Sequence, residues 1–165
     1  MKINVANLQK DEIIGVEFQA NNESLGFADG KSEVFLKEPA QVKANVEKIG
    51  DSIWVTGTIT ACMKLRCSRC LDEYEAGGRT DLKLEYRKAQ KYFPAEREDL
   101  DLKDEDLDFL EYQGGEIDLA EGIRQNILLS LPMKPLCRDD CYGLCSGCGR
   151  NLNNEKCICE KQIEK

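Results

Sequence analysis

Eight of the chain's nine cysteines stand in close pairs: Cys67 with Cys70, Cys137 with Cys141, Cys145 with Cys148, and Cys157 with Cys159. Thiolates so spaced can reach one ion at about 2.3 Å from each sulfur, while the turn between them aims backbone N–H groups at the same sulfurs. The chain contains no histidine. That removes the commonest general base, the Cys/His nucleophile and the mixed Cys/His zinc site together. Any metal must be held by thiolates, aided at most by a carboxylate.

A disulfide framework fits poorly, since nine is odd and the N-terminal stretch MKINVANLQKDEIIG has neither the apolar core nor the small-residue cleavage site of a secretory signal. The expected compartment is the cytosol, where thiols stay reduced. A redox Cys-x-x-Cys is also a poor reading, because Cys67-Ser-Arg-Cys70 ends a strand-like run, whereas thioredoxin-type motifs open a helix within a βαβ unit.

The strongest single knuckle is Cys145-Ser-Gly-Cys148-Gly149, whose trailing glycine permits the left-handed backbone such turns often need. Cys67-Ser-Arg-Cys70 is followed by Leu71 and makes the weaker knuckle. The preferred arrangement is two sites of four thiolates, one from Cys67, Cys70, Cys137 and Cys141, the other from Cys145, Cys148, Cys157 and Cys159. A rival pairing joins Cys67 and Cys70 to Cys145 and Cys148 and leaves the rest without metal. Cys62 is left over as a plain thiol. An iron–sulfur cluster also accepts four thiolates, but zinc suits a closed structural site without assembly machinery. One or two structural Zn2+ ions are expected.

Each zinc held by four thiolates carries a formal −2, and cations stand close by: Lys64, Arg66, Arg69, Lys134, Arg138, Arg150 and Lys156. One reading is that they balance thiolate charge; the other is that some of them, with Arg66, Arg69, Lys134, Arg138 and Arg150 as candidates, also meet phosphate. The net charge of −8 argues against a plain nucleic-acid binder. Most of it is local, because residues 95–111 hold nine acids against Arg97 and Lys103.

These side chains need positioning elements. Residues 1–47 read as short strands and loops, with apolar stretches at Ile13 to Phe18 and Val34 to Leu36. From Ile53 to Arg66 apolar and polar residues alternate strictly, which predicts a strand with one buried face, bulged or bent at Gly57. Lys48 to Asp51 supplies the turn that pairs it with Val42 to Val46, and Leu82, Leu84 and Tyr86 mark a further strand. The acidic stretch reads as a solvated linker, although Leu100, Leu102, Leu107, Phe109 and Leu110 could dock it. Residues 117–131 predict a helix with Asp118 as N-cap, Glu121 at N3, and Leu119, Ile123, Ile127 and Leu131 on one face, widened by Leu128 and Leu129 and stopped by Pro132.

The expected fold is α+β: a mostly antiparallel sheet, one main packing helix and a zinc-stabilised C-terminal segment. Its divisions are a β-rich body (1–94) bearing the Cys67/Cys70 knuckle, an acidic linker (95–114), the helix with its proline-rich exit (115–136) and the cysteine-rich tail (137–165).

The order Cys67-Ser-Arg-Cys70-Leu71, Gly115-Glu-Ile-Asp-Leu119, Leu131-Pro132-Met-Lys-Pro135-Leu-Cys137 and Cys141-x-Gly-Leu-Cys145-x-x-Cys148-Gly-x-Asn-Leu-Asn153 resembles the bacterial YceD family, the large ribosomal RNA subunit accumulation proteins. The resemblance runs from about residue 40 and implies a non-enzymatic role in 23S rRNA accumulation and large-subunit assembly. Cys67/Cys70 and Cys137/Cys141 match positions shared across the family, and the later ligands match its longer members. The expected partner is large-subunit ribosomal RNA or a basic large-subunit ribosomal protein, with no membrane and no small-molecule substrate. The alternatives are a zinc-bearing interaction module unrelated to ribosomes and a thiol redox enzyme.

Overall fold

Alternation of apolar and polar side chains drives most of the chain into strands. The structure, a computed structural model, describes residues 1–10, 12–28, 34–89, 109–157 and 159. In chain order the elements are β1 (Lys2–Asn4), β2 (Ile13–Ala20), β3 (Phe35–Leu36), β4 (Ala40–Ile49), β5 (Ser52–Arg66), β6 (Glu73–Lys88), β7 (Phe109–Tyr112), β8 (Glu116–Asp118) and the helix α1 (Ala120–Leu129).

The main sheet runs β2-β4-β5-β6-β7, with β3 added to β5 beyond the end of β4, and β1 pairs with β8 in a second, two-stranded sheet. The pairings are antiparallel except β6–β7, which is parallel. The fold is thus α+β with an antiparallel-rich sheet. The expected linker over 95–114 ends in order: Phe109–Tyr112 is an edge strand and Arg87 lies 4.2 Å over the Phe109 ring. Leu100, Leu102 and Leu107 lie outside the described residues.

Along β5, Ile53, Val55, Ile59, Ala61, Met63 and Leu65 are buried, as the alternation requires. Gly57 makes no bulge. Its register continues unbroken from Ala44 on β4 to Leu82 on β6. A Cβ there would stand 2.6 Å from Ala44 Cα, so glycine is needed for close backbone approach.

Helix α1 lays Gly122, Ile123 and Ile127 on β5 and β6, where each buried isoleucine contributes about 1.5–3 kcal/mol. It starts later than its apolar spacing suggests. Ile117 pairs with Ile3 across the small sheet, keeping residues 116–118 extended, and Leu119 takes the N-cap position. Asp118 still helps, its Oδ1 accepting the Ala120 N–H at 3.0 Å. Leu128 and Leu129 do not widen the buried stripe: they turn outward, Leu129 being 83% exposed. Ser130 caps the last turn, its Oγ donating to the Ile127 carbonyl, before Pro132 bars continuation. Among the described residues, no helix is long and apolar enough to cross a membrane.

Candidate metal centres

The β5–β6 hairpin carries its loop, Cys67–Asp72, at the far end of the two longest strands. Cys67 N–H donates to the Asp72 carbonyl at 2.9 Å and Leu71 N–H to the Cys67 carbonyl at 3.0 Å, closing a tight knuckle. The chain leaving α1 is pinned beside it, because the Pro135 carbonyl accepts both the Ser68 N–H (2.8 Å) and the Ser68 hydroxyl (3.0 Å). That brings Cys137 and then Cys141 over the knuckle.

The four sulfurs of Cys67, Cys70, Cys137 and Cys141 lie within 4.8 Å of one another. Cys67 Sγ stands 3.7 Å from Cys141 Sγ, and Cys70 Sγ 3.7 Å from Cys137 Sγ. A tetrahedron of sulfurs at about 2.3 Å from a central ion has edges of about 3.8 Å. The quartet therefore has the dimensions of a single-ion site, and a cluster of several irons would spread its ligand sulfurs further. Cys67, Cys70 and Cys141 are buried and Cys137 half-buried.

A second quartet gathers Cys145, Cys148, Cys157 and Cys159, again within 4.8 Å. It is tighter and more open: Cys145 and Cys157 sulfurs are 3.1 Å apart, Cys148 and Cys157 3.6 Å, and Cys148 is exposed. The structure thus groups Cys67 and Cys70 with Cys137 and Cys141, not with Cys145 and Cys148 as in the rival pairing. Cys62 stands apart on the outer face of β5.

The two knuckles are near copies. Gly149 N–H donates to the Cys145 carbonyl at 2.9 Å with φ +71°, and Leu71 makes the same bond to Cys67 with φ +63°. The missing glycine does not prevent the first knuckle. It places a leucine in the left-handed region, at a cost of roughly 1–2 kcal/mol.

Electrostatics within each quartet favour a central cation. Burial pushes the Cys67 thiol up, yet the backbone N–H groups of Cys70, Cys137 and Arg69 outweigh it and bring it down to about 6. Cys70 goes the other way: the Asp72 backbone lowers it, but burial and the neighbouring thiols of Cys67, Cys137 and Cys141 push it up to about 12. In the second quartet the Cys157 thiol and the backbone of Cys148 and Gly147 hold Cys145 down to about 6, while Cys148 and Cys157 push Cys159 up to about 12. In the first quartet Cys67 and Cys141 are held down while Cys70 and Cys137 are pushed up, so the later thiolates are opposed by those already formed. A divalent ion at the centre reverses that opposition, so the donor set fits zinc.

The nearby cations divide. Arg69 Nη1 donates to the carbonyls of Cys141 (3.0 Å) and Asp139 (3.4 Å), so it braces the first quartet. Arg138 faces Asp140 at 3.8 Å and Arg150 faces Glu155 at 3.6 Å. Arg66 and Lys134 have no ion-pair partner among the described residues. Arg66 lines, with Lys64, Phe35, Leu71 and Met133, an open groove of about 780 Å³ beside the first knuckle.

Two contributors had no assigned role in the sequence, Asn151 and Asn153. Asn153 Nδ2 donates to Cys141 Sγ at 3.3 Å, and Asn151 Nδ2 to the Asp72 carboxylate at 2.5 Å. Their only sequence signal is the Asn-Leu-Asn run between Cys148 and Cys157.

Against known proteins, residues 55–165 match the family model described as the large ribosomal RNA subunit accumulation protein YceD. An uncharacterised protein of Mycobacterium leprae is 31% identical over 114 residues, covering 69% of this chain and 49% of that one. An uncharacterised protein of Mycobacterium tuberculosis is 32% identical over 119 residues, covering 72% and 54%. A chloroplastic large ribosomal RNA subunit accumulation protein homolog of Arabidopsis thaliana is 38% identical over 47 residues, 28% of this chain and 15% of its own. The chain spans about half the length of the mycobacterial relatives. No solved structure matches.

Proposed function

The chain belongs to the YceD family, and on that premise we propose that it is a zinc-bearing, non-enzymatic factor that supports 23S rRNA accumulation and large ribosomal subunit biogenesis in the cytoplasm. The observation that carries the reading is the convergence of four sulfurs from the hairpin tip and the post-helix segment at single-ion spacing. All eight proposed ligands, Cys67, Cys70, Cys137, Cys141, Cys145, Cys148, Cys157 and Cys159, are protein sulfurs. Each site so filled is closed, with no position for an activated water, and a closed site is structural.

In this reading the metal end is the contact face for large-subunit ribosomal RNA or a basic ribosomal protein bound to it. Arg66 and Lys134 are the cations best placed to meet phosphate. Arg69 keeps its guanidinium for the quartet, and Arg138 and Arg150 sit beside carboxylates that weaken their pull on an anion. The acidic stretch around 95–111 is assigned to holding a basic ribosomal protein.

The test is gradient sedimentation of a cell lysate, with bound metal measured on the purified chain. Co-migration with large-subunit precursors and two zinc ions per chain support the proposal. A metal-loaded protein that stays at the top of the gradient sinks the ribosomal part of it. Pull-down with and without residues 95–111 separates the acidic role, and equal recovery of basic ribosomal proteins defeats it.

A further inference from the structure

Asn153 belongs to the loop that the second quartet closes, yet its side chain serves the first. The loop leaves Cys148, returns to Cys157, and is held by Cys145 N–H on the Arg150 carbonyl (2.8 Å) and Leu152 N–H on the Gly143 carbonyl (2.9 Å). From it the Asn153 carboxamide reaches back to Cys141.

The orientation of that carboxamide is fixed by its neighbours. Tyr142 N–H can only donate, and it donates to Asn153 Oδ1 at 2.9 Å. The other end, turned to Cys141 Sγ at 3.3 Å and to Asn151 Oδ1 at 2.8 Å, is therefore the N–H end. A ligand sulfur is oriented by the outer-shell N–H it accepts, and Asn153 Nδ2 supplies that N–H to Cys141 Sγ.

Asn151 completes the connection. Its Oδ1 accepts from Asn153 N–H at 3.0 Å, and its Nδ2 donates to Asp72, whose carbonyl holds Cys67 N–H. Leu144 N–H adds a bond to the Arg69 carbonyl at 3.2 Å. The outer loop thus touches the inner quartet both at a ligand, Cys141, and at the hairpin knuckle.

We propose that the two quartets are linked metal sites, with Asn153 the positioning residue that couples them. An ion in the outer quartet fixes the loop that presents Asn153, so the inner quartet binds its own ion more tightly when the outer is filled, and linkage makes the effect reciprocal. Loss of an outer-shell partner of a metal ligand typically costs 10–100-fold in affinity, and that is the size expected here. The inference rests on the reading that both quartets hold metal.

The test uses the full chain, reduced and reconstituted with Co2+ and with Zn2+ in turn. Inner-site affinity is read by chelator competition and by the thiolate-to-cobalt absorption. Circular dichroism of the sheet checks that each variant is folded. Cys157→Ser with Cys159→Ser disables the outer quartet, and Asn153→Ala cuts the link while leaving its ligands. Each is expected to weaken the inner site about 10–100-fold, and the combination no more than the larger single loss. Asn153→Asp keeps the acceptor for Tyr142 and turns a second oxygen towards Cys141, so its loss equals or exceeds that of Asn153→Ala. Losses that multiply in the combination, or an Asn153→Ala protein with wild-type inner affinity, overturn the linkage while two ions per wild-type chain keep the metal reading. A folded wild-type chain that takes up fewer than two ions overturns both.

Discussion

Emptying the inner quartet tests whether the C-terminal segment is clasped to the body. Chain positions 70 and 137 are 67 apart, and a bridge between them removes loop-closure entropy from the unfolded chain worth about 4 kcal/mol at 25 °C by the relation used for cross-links. For a chain of this size each kcal/mol moves the melting temperature by about 2–4 °C. Stripping the metal, or making Cys137→Ser with Cys141→Ser, is therefore expected to lower Tm by roughly 8–16 °C. The assay is thermal unfolding by circular dichroism at fixed protein concentration, zinc-saturated against chelator-treated, with residual metal measured on each sample. The outer quartet gives the comparison. Its bridge from Cys148 to Cys157 spans nine positions and is worth about 2.5 kcal/mol by the same relation, confined to the tail. It reaches the body through Asn153, Asn151 and the Leu144 N–H on the Arg69 carbonyl, so Cys148→Ser moves the main transition only through the inner site it weakens, by about 1.4–2.7 kcal/mol or roughly 3–11 °C, less than loss of the inner ion itself. An unchanged Tm in a sample shown to have lost its inner ion refutes the clasp.

Leu71→Gly removes a side chain that is 52% exposed and releases a left-handed leucine, so it is expected to stabilise the folded state by about 1 kcal/mol in urea titration. A loss of stability would mean that the leucine packs on something the groove admits. Gly57→Val puts a branched side chain where even a Cβ meets Ala44 Cα, and the expected cost of 3 kcal/mol or more separates β4 from β5; denaturant unfolding with an unchanged midpoint would contradict the close approach. Arg66→Glu with Lys134→Glu leaves Tm within about 1 °C, as expected for surface changes, while reducing co-sedimentation with large-subunit particles in a salt-dependent manner. Retained co-sedimentation would move the phosphate contacts elsewhere.

The parts of the molecule that follow from local periodicity were readable in the chain. Alternation from Ile53 to Leu65 and at Leu82 and Tyr86 marks the buried face of the central hairpin, and Leu119, Ile123 and Ile127 mark the buried face of α1. What escaped was decided by distant partners. Ile117 stays extended because Ile3 pairs with it, a contact invisible to any window around the helix start. The segment 73–80 carries no apolar alternation strong enough to announce a strand, yet it pairs throughout with the end of β5. Cysteine spacing announced the quartets because ligand geometry is itself local within each pair. The trailing-glycine rule undervalued the Leu71 knuckle, since a hairpin of two long strands imposes the turn and offsets the strain. Arg69 was legible as a cation near thiolates but not as a donor to two carbonyls, and Asn153 stood in a quoted motif without a role because its reach depends on how the tail folds back.

The strands that build the inner site also separate the two charged ends of the molecule. The hairpin knuckle lies before Glu73, whereas Ala89 and Phe109, which bracket most of the acidic residues, sit at the opposite end of β6, with Ala89 N–H bonded to the Tyr112 carbonyl at 2.9 Å. Phe109 pairs with Glu85 and Ala89 follows Lys88, so twelve to fifteen strand steps at about 3.3 Å place the attachment points roughly 40–50 Å from the knuckle. Screening at physiological salt acts over about 8 Å, so the attachment points of the acidic stretch are electrically remote from Arg66 and Lys134. Arg66 and Lys134 therefore stand far from both attachment points of the stretch that carries most of the chain's net charge of −8. On the proposed function, that separation would let one end meet RNA phosphate through Arg66 and Lys134 while the other carries the acidic stretch assigned to a basic ribosomal protein.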